Sequence, residues 1–286
     1  MKNYGYNPEL EKQHQSETDY LVGANSLPAL FEVPRVLVDI YLPRGERQNI
    51  GDEKMDCASR SPINKLETDF TYAIQNNLFS KENEQWLRDN GYVTEDERIE
   101  FSDAFISILS GTTRQGNSLI KPIDTIRNYG LIPKYRLPQL DSFDDYYNPL
   151  RITDELRSLG LDFKDRFDIR YERATESQFG NLLEKESLCV GGFAWSVPFE
   201  GEYPRVDMPA NHAFMLFKNP RYYAFDNYID ETDGDYIKKL APDYDFLDIG
   251  YRVFVYKENK IDSQGNAIIK TTWFQKFINW LFNLIK

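Results

Sequence analysis

Cysteine and histidine carry much of the nucleophilic and acid–base chemistry that proteins perform near neutral pH, and this chain of 286 residues has only two of each. Cys57 stands in Met55-Asp56-Cys57-Ala58-Ser59, just ahead of an expected helix. His212 lies far downstream in Asn211-His212-Ala213-Phe214-Met215-Leu216, which reads as a strand. Asn227 follows 15 residues later, in Tyr223-Ala224-Phe225-Asp226-Asn227. A thiol, an imidazole and an amide in that order suit attack on an acyl carbon. The thiolate is the nucleophile, the imidazole moves the proton, and the amide holds the ring in its working orientation. Asp226 competes with Asn227 for that last task, because adjacent strand residues face opposite sides and only one can point at His212. Cys189, in an apolar run, reads as core, and His14, in a polar segment, reads as a solvated residue.

A thiol is mostly un-ionised at neutral pH, so a nucleophilic Cys57 needs its pKa lowered. A helix N-terminus and a nearby imidazolium both do this. Acyl transfer also needs donors for the developing oxyanion. The Cys57 backbone N–H at the helix start is one, and the side chain of Gln48, in the loop before it, is the other.

These groups need elements to position them. Val33–Leu42 is rich in Val, Leu, Ile and Tyr and reads as a strand closed by Pro43 and Gly45. Apolar residues at 63, 66, 70, 73, 74 and 78 predict a helix over 63–78, with Asp56 or Ser59 at its cap. Further helices are expected over 81–89, 101–109, 120–129, 152–159 and 177–186, with Gly130 ending the third. The apolar and aromatic runs 188–197, 212–217, 221–226 and 249–256 read as strands, the middle two joined by a hairpin at Asn219-Pro220. Helices thus fill the first half and strands the second, which predicts an α+β fold rather than a parallel sheet of βαβ units.

Composition narrows the function classes. The hydrophobic fraction of 41% supports a substantial core. A net charge of −12 argues against a nucleic-acid surface. Two cysteines are not a disulfide scaffold, and the scattered histidines and cysteines supply no metal site. No cofactor is called for. No signal-type apolar segment opens the chain and no apolar run reaches membrane-spanning length, so cytoplasmic synthesis is expected.

In order and setting, these residues resemble the papain-like (C1) cysteine peptidase superfamily, particularly its divergent bacteriophage-encoded C1-like domains. The resemblance runs through Leu42-Pro43, Glu46-Arg47-Gln48, Asp56-Cys57-Ala58-Ser59, Gln115-Gly116-Asn117, Tyr129-Gly130-Leu131-Ile132-Pro133, Asn211-His212-Ala213, Asp226-Asn227 and Gly250-Tyr251-Arg252-Val253, roughly residues 30–256. It implies a papain-like fold, a Cys57–His212–Asn227 triad, and Gln48 completing the oxyanion hole. It also implies that Gly116 and Asn117 line the substrate cleft and pair with the substrate backbone. His212 and Asn227 lie 155 and 170 residues after Cys57, somewhat beyond the roughly 130–150 of the papain pattern. The chain departs from that pattern by lacking an aromatic after Cys57, by placing Pro62 five residues beyond it, and by having Tyr228 after Asn227 where a tryptophan is usual.

The expected organisation is a polar N-terminal arm over 1–28, a papain-like domain over 29–257, a linker over 258–269 and an amphipathic helix over 270–286. The stripe from Trp273 to Ile285, with Lys270, Lys276 and Lys286 beside it, suits docking to a partner subunit or to a membrane surface. The activity expected is cysteine peptidase chemistry on a peptide or protein substrate. The alternative is a virion or scaffold protein that keeps the C1-like fold as a structural module.

Overall fold

The computed structural model describes residues 5–14, 22, 27–44, 47–192, 194–195, 200–205, 210–229, 234–244, 246, 249–261 and 267–268. The helical half comprises α1 (Pro8–His14), α2 (Val38–Tyr41), α3 (Cys57–Gln75), α4 (Lys81–Asp89), α5 (Asp103–Leu109), α6 (Ile120–Tyr129), α7 (Phe143–Tyr146), α8 (Asp154–Arg166) and α9 (Glu176–Leu182). Between α8 and α9 the first strand, β1 (Phe167–Ala174), enters the sheet. It is followed by β2 (Leu188–Gly192), β3 (His212–Lys218), β4 (Tyr222–Phe225), β5 (Ile237–Lys239) and β6 (Gly250–Glu258). These six strands form one antiparallel sheet in the order β1-β6-β2-β3-β4-β5. The architecture is α+β, as the segregation of patterns in the sequence predicts.

Helix α3 is the spine of the molecule. Ile63, Leu66, Phe70, Ala73 and Ile74 pack into the main core with Phe101, Phe163 and Phe167, and Phe70 touches all three of those rings at centroid distances of 5.1–5.5 Å. The helix is buried nearly all round, so its polar residues need internal partners. Ser61 donates to Phe214 O at 2.7 Å and ties the helix to β3. Lys65 pairs with Asp69 at 2.5 Å, and Glu67 accepts from Phe101 N at 2.6 Å. The helix begins at Cys57, six residues earlier than the apolar spacing predicts, and runs through Pro62. Pro62 has no N–H for the Ala58 carbonyl, a loss of up to about 3 kcal/mol that the burial of the helix on several faces offsets.

Other parts of the fold differ from or add to the sequence reading. Residues 33–42 are a short 3₁₀ turn (Arg35–Leu37) leading into α2, not a strand. The buried positions are Val33, Val38 and Leu42, packed on Met215 and Phe217, a spacing that suits a helical face and not the alternation of a strand. The strand β1 goes unannounced in the sequence reading although Phe167, Ile169 and Tyr171 alternate with charged residues; it pairs along its whole length with β6. Within the expected N-terminal arm, residues 5–14 lie on the domain, with Tyr6 in the main core. Within the expected linker, β7 (Lys260–Ile261) pairs with β8 (Ala267–Ile268). The amphipathic stretch 270–286 lies outside the described residues. No helix among the described residues is long and apolar enough to cross a membrane.

Candidate active site

The loop before α3 is built to be rigid. Lys54, fully buried, points its ammonium at the carbonyls of Ile50, Asp52 and Asp141, at 2.7, 2.5 and 2.6 Å. Asp56 stands at the N-cap of α3, but its side chain does not cap. It accepts from Arg60 Nε at 2.8 Å and from Tyr146 OH at 2.8 Å. Arg60, also fully buried, goes on to Asp103 at 2.9 Å and to Gln139 at 2.8 Å. This network fixes the first turn of the helix and therefore the place of Cys57.

Cys57 is the first residue of α3 and is 0% exposed. Its sulfur lies against the backbone N–H of Ala213, the residue after His212. The helix head and the start of β3 therefore meet at the thiol. Burial pushes the Cys57 pKa well above the ordinary thiol value, the Ala213 N–H works against that rise, and the nearby carboxylates of Asp56, Glu53 and Asp226 add to it. Cys189 is buried too, in β2, and its thiol is pushed up to about 12, first by desolvation. Both cysteines are free.

His212 opens β3 and is buried. Its Nε2 is 2.8 Å from Asp226 Oδ1. A carboxylate only accepts, so Nε2 carries the proton and Nδ1 is the basic ring atom. The ring is walled by Trp195, Tyr228 and Phe214, at centroid distances of 5.2, 5.7 and 5.9 Å. Asp226, just past β4, also accepts from Asn227 N at 2.7 Å, so the same oxygen holds both the ring and the turn.

The expected orienter, Asn227, is placed differently. Its side-chain oxygen accepts from Asn64 Nδ2 on α3 at 3.0 Å, and its carbonyl accepts from Gln48 N at 3.1 Å. Asn227 braces the loop against the helix, and Asp226 is the residue bonded to His212. The sequence leaves this choice open because the side chains diverge where β4 ends, and the turn decides which one faces the ring.

Gln48, in the loop before α3, is fully buried. Its Nε2 donates to Glu53 Oε1 at 2.7 Å and to Tyr228 OH at 2.6 Å. Both amide hydrogens are therefore engaged. The Tyr228 phenol is held protonated, its pKa raised first by burial and then by the Glu53 and Cys57 charges. Glu53, Tyr228 and Trp195 are residues that sequence reasoning did not assign to the site; Tyr228 adjoins Asn227, but nothing in residue type or spacing marks Glu53.

Gly116 and Asn117 lie against the N-terminal segment. Gly116 has φ +83°, open only to glycine without strain. The Asn117 side chain turns inward, its Nδ2 donating to Ser110 O at 3.2 Å and to Thr112 Oγ1 at 3.2 Å. Its backbone N and O face residues 5–7, with Asn117 N donating to Gly5 O and Asn7 N to Asn117 O, each at 2.8 Å. Among the described residues no group of three or more His, Cys, Asp and Glu could hold a metal ion.

No family model and no curated protein matches the sequence. Solved structures do match the fold. Xylellain, a cysteine protease from Xylella fastidiosa, superposes with a TM-score of 0.57 at 13% identity, covering 88% of this chain and 96% of that one. Digestive procathepsin L 3 from the larval midgut of Tenebrio molitor gives 0.52 at 13% identity, over 88% and 76% of the two chains. ProCathepsin B S9 from Trypanosoma congolense gives 0.51 at 13% identity, over 88% and 86%. The protein has the papain-like α+β fold, the fold of C1 cysteine proteases. Nothing in these likenesses bears on a viral source.

Proposed function

We propose that the protein is a papain-like cysteine hydrolase that cleaves an amide bond in a peptide or a related acyl substrate. The observation that carries this reading is the 2.8 Å contact of His212 Nε2 with Asp226, made where β3 meets the head of the helix bearing Cys57. The Cys57 thiol gives its proton to His212 Nδ1, and the sulfur bonds to the substrate carbonyl carbon while the carbonyl π pair moves onto oxygen. Collapse of that intermediate breaks the C–N bond, and His212 passes its proton to the departing amine. Water then attacks the thioester, giving a proton to His212. The carboxylic acid leaves, and the thiol takes that proton back.

Asp226 takes the positioning role that the sequence reading gives to Asn227. Its negative charge also stabilises the imidazolium. The Cys57 backbone N–H serves the oxyanion directly. Gln48 serves it only after releasing Glu53 or Tyr228, so its donor role requires a rearrangement of that triangle. A substrate backbone pairs with Asn117 across the cleft. Neither cofactor nor metal enters these steps.

The test is to incubate the protein and its Cys57→Ala variant with a complex peptide mixture for hours and map new termini by mass spectrometry. Termini made only by the cysteine-containing chain support the reading; identical backgrounds overturn it. The second reading, a C1-like fold kept as a structural module in a virion or scaffold, is favoured by the complete burial of Cys57 and predicts no cleavage by either chain.

A further inference from the structure

Gln48 is pinned by its backbone. Its N–H donates to Asn227 O at 3.1 Å, and its carbonyl accepts from Lys54 N at 3.2 Å. Only the side chain is left to change partners. That side chain is buried, and its Nε2 uses both hydrogens, one on Glu53 Oε1 at 2.7 Å and one on Tyr228 OH at 2.6 Å. The triangle closes on its third side, where the Tyr228 hydroxyl donates to Glu53. Burial first, and then the charge of Glu53, raise the pKa of that phenol, so its hydrogen stays in place.

The three bonds are unequal. Glu53 offers a carboxylate, and a hydrogen bond to a charged acceptor is roughly twice as strong as one to a neutral oxygen. Glu53 also accepts from Met55 N at 3.4 Å, two residues before Cys57, which sets it beside the helix head. The bond from Gln48 to Tyr228 is therefore the one that yields. When it yields, Tyr228 loses an accepted bond and keeps its own donation to Glu53, so no donor of the phenol is stranded. The ring of Tyr228 lies 5.7 Å from that of His212, and the charge of Cys57 bears on its phenol. The neutral oxygen that Gln48 faces thus stands next to the reacting pair.

We infer that the Tyr228 hydroxyl oxygen is a placeholder for the substrate oxyanion, a latch that holds the Gln48 side chain until a carbonyl substrate displaces it. The inference rests on the reading of the protein as a hydrolase with Gln48 as an oxyanion donor. In the resting chain Gln48 donates to a neutral oxygen. As negative charge grows on the substrate oxygen, that oxygen outcompetes the phenol and the amide turns to it. Glu53 keeps the other hydrogen and aims the amide. Tyr228 and Glu53 act through Gln48 and are positioning residues.

The test is Tyr228→Phe, which keeps the ring against His212 and removes the oxygen. Two small probes of Cys57 are compared in the full-length protein at near-neutral pH. With p-nitrophenyl acetate the sulfur bonds to the carbonyl carbon, negative charge passes through the carbonyl oxygen, and p-nitrophenolate leaves. With iodoacetamide the sulfur bonds to a tetrahedral carbon and iodide leaves, so no oxyanion forms. Gln48 therefore assists the first reaction and not the second. The readout is the ratio of the two rates at Cys57, each corrected with Cys57→Ala, while labelling of Cys189 reports on packing. The expected result is a rise of about tenfold in that ratio in Tyr228→Phe, inside the roughly 10²–10³ that one oxyanion donor supplies, and no rise when Tyr228→Phe is added to Gln48→Ala. An unchanged or lower ratio, or an equal rise with Gln48 absent, overturns the latch. A loosened structure would speed both reactions and expose Cys189 with the ratio flat, which also counts against it. If Cys57 of the unaltered protein is acylated and Tyr228→Phe makes no difference, the latch falls and the hydrolase reading stands. If no chain is acylated at Cys57, both fall.

Discussion

The placement of Asp226, rather than Asn227, against His212 leads to a comparison of two neighbouring substitutions. In Asp226→Ala, one lost carboxylate oxygen was the acceptor for two buried donors, His212 Nε2 at 2.8 Å and Asn227 N at 2.7 Å. Leaving a buried donor unsatisfied costs about 1–3 kcal/mol, so the pair sums to about 2–6 kcal/mol. Asn227→Ala removes the acceptor of Asn64 Nδ2, at about 1–3 kcal/mol. Urea unfolding of both variants should therefore show Asp226→Ala as the less stable. The functional contrast is sharper. Without Asp226 the acceptor at 2.8 Å from Nε2 is gone, and loss of the correct tautomer in a nucleophile–histidine–orienter triad costs up to about 10⁴-fold. Alkylation of Cys57 should fall about 10²-fold or more in Asp226→Ala. It should stay within about threefold in Asn227→Ala, which loses the bond to Asn64 on α3. If the order is reversed, so that Asn227→Ala silences the thiol and Asp226→Ala spares it, the assignment of the positioning residue is wrong.

Three further outcomes follow from the charges around the site. Glu11 has its pKa raised above 4.5, chiefly by burial; the folded chain therefore binds the proton more tightly than the unfolded one, and the stability this confers is present below about 4.5 and lost as pH rises through the raised value. The urea midpoint of the unaltered protein should accordingly decline relative to Glu11→Gln on going from acid to neutral pH, and an opposite slope would contradict that direction. Glu53 is one of the carboxylates that raise the Cys57 pKa, so Glu53→Gln should move the pH midpoint of Cys57 alkylation downward; an upward or absent shift argues against the charge reaching the thiol. Arg60→Ala leaves Asp56 and Asp103 without their 2.8 and 2.9 Å partner and should destabilise by about 3–5 kcal/mol, whereas a loss below about 1 kcal/mol in calorimetry would mean the network does not hold the helix head.

Much of the positioning framework is written in local pattern. Apolar residues at 120, 123 and 126, with Gly130 at φ +69° after Tyr129, give α6 its observed limits. The runs that become β2, β3, β4 and β6 stand out because both faces of those strands are largely buried. Residues 33–42 mislead because Val and Ile favour strands on average, while the actual burial of Val38 and Leu42 is decided by where Met215 and Phe217 lie. At the site, residue type alone singles out Cys57 and His212, since the chain offers so few others. The partner of His212 depends on how the chain turns after Phe225, and the burial of Gln48 depends on Glu53 and Tyr228, the latter 180 residues away. Tyr6 is invisible for a related reason. A single aromatic in a polar segment has no period to announce it; Gly191 leaves room for its ring, while Gly5 and Gly116 let the backbone beside it approach Met55 and Gly5 closely.

The central claim is that Cys57 and His212 form an activated pair once the thiol is reached. The direct measurement is the pH dependence of Cys57 alkylation with and without His212→Ala. An imidazolium beside the thiolate predicts labelling that persists to pH values below the ordinary thiol range, and a return to slow, alkaline-only labelling when His212 is removed. Labelling no faster than a free thiol in every one of these proteins, with no change on removing His212, would contradict it.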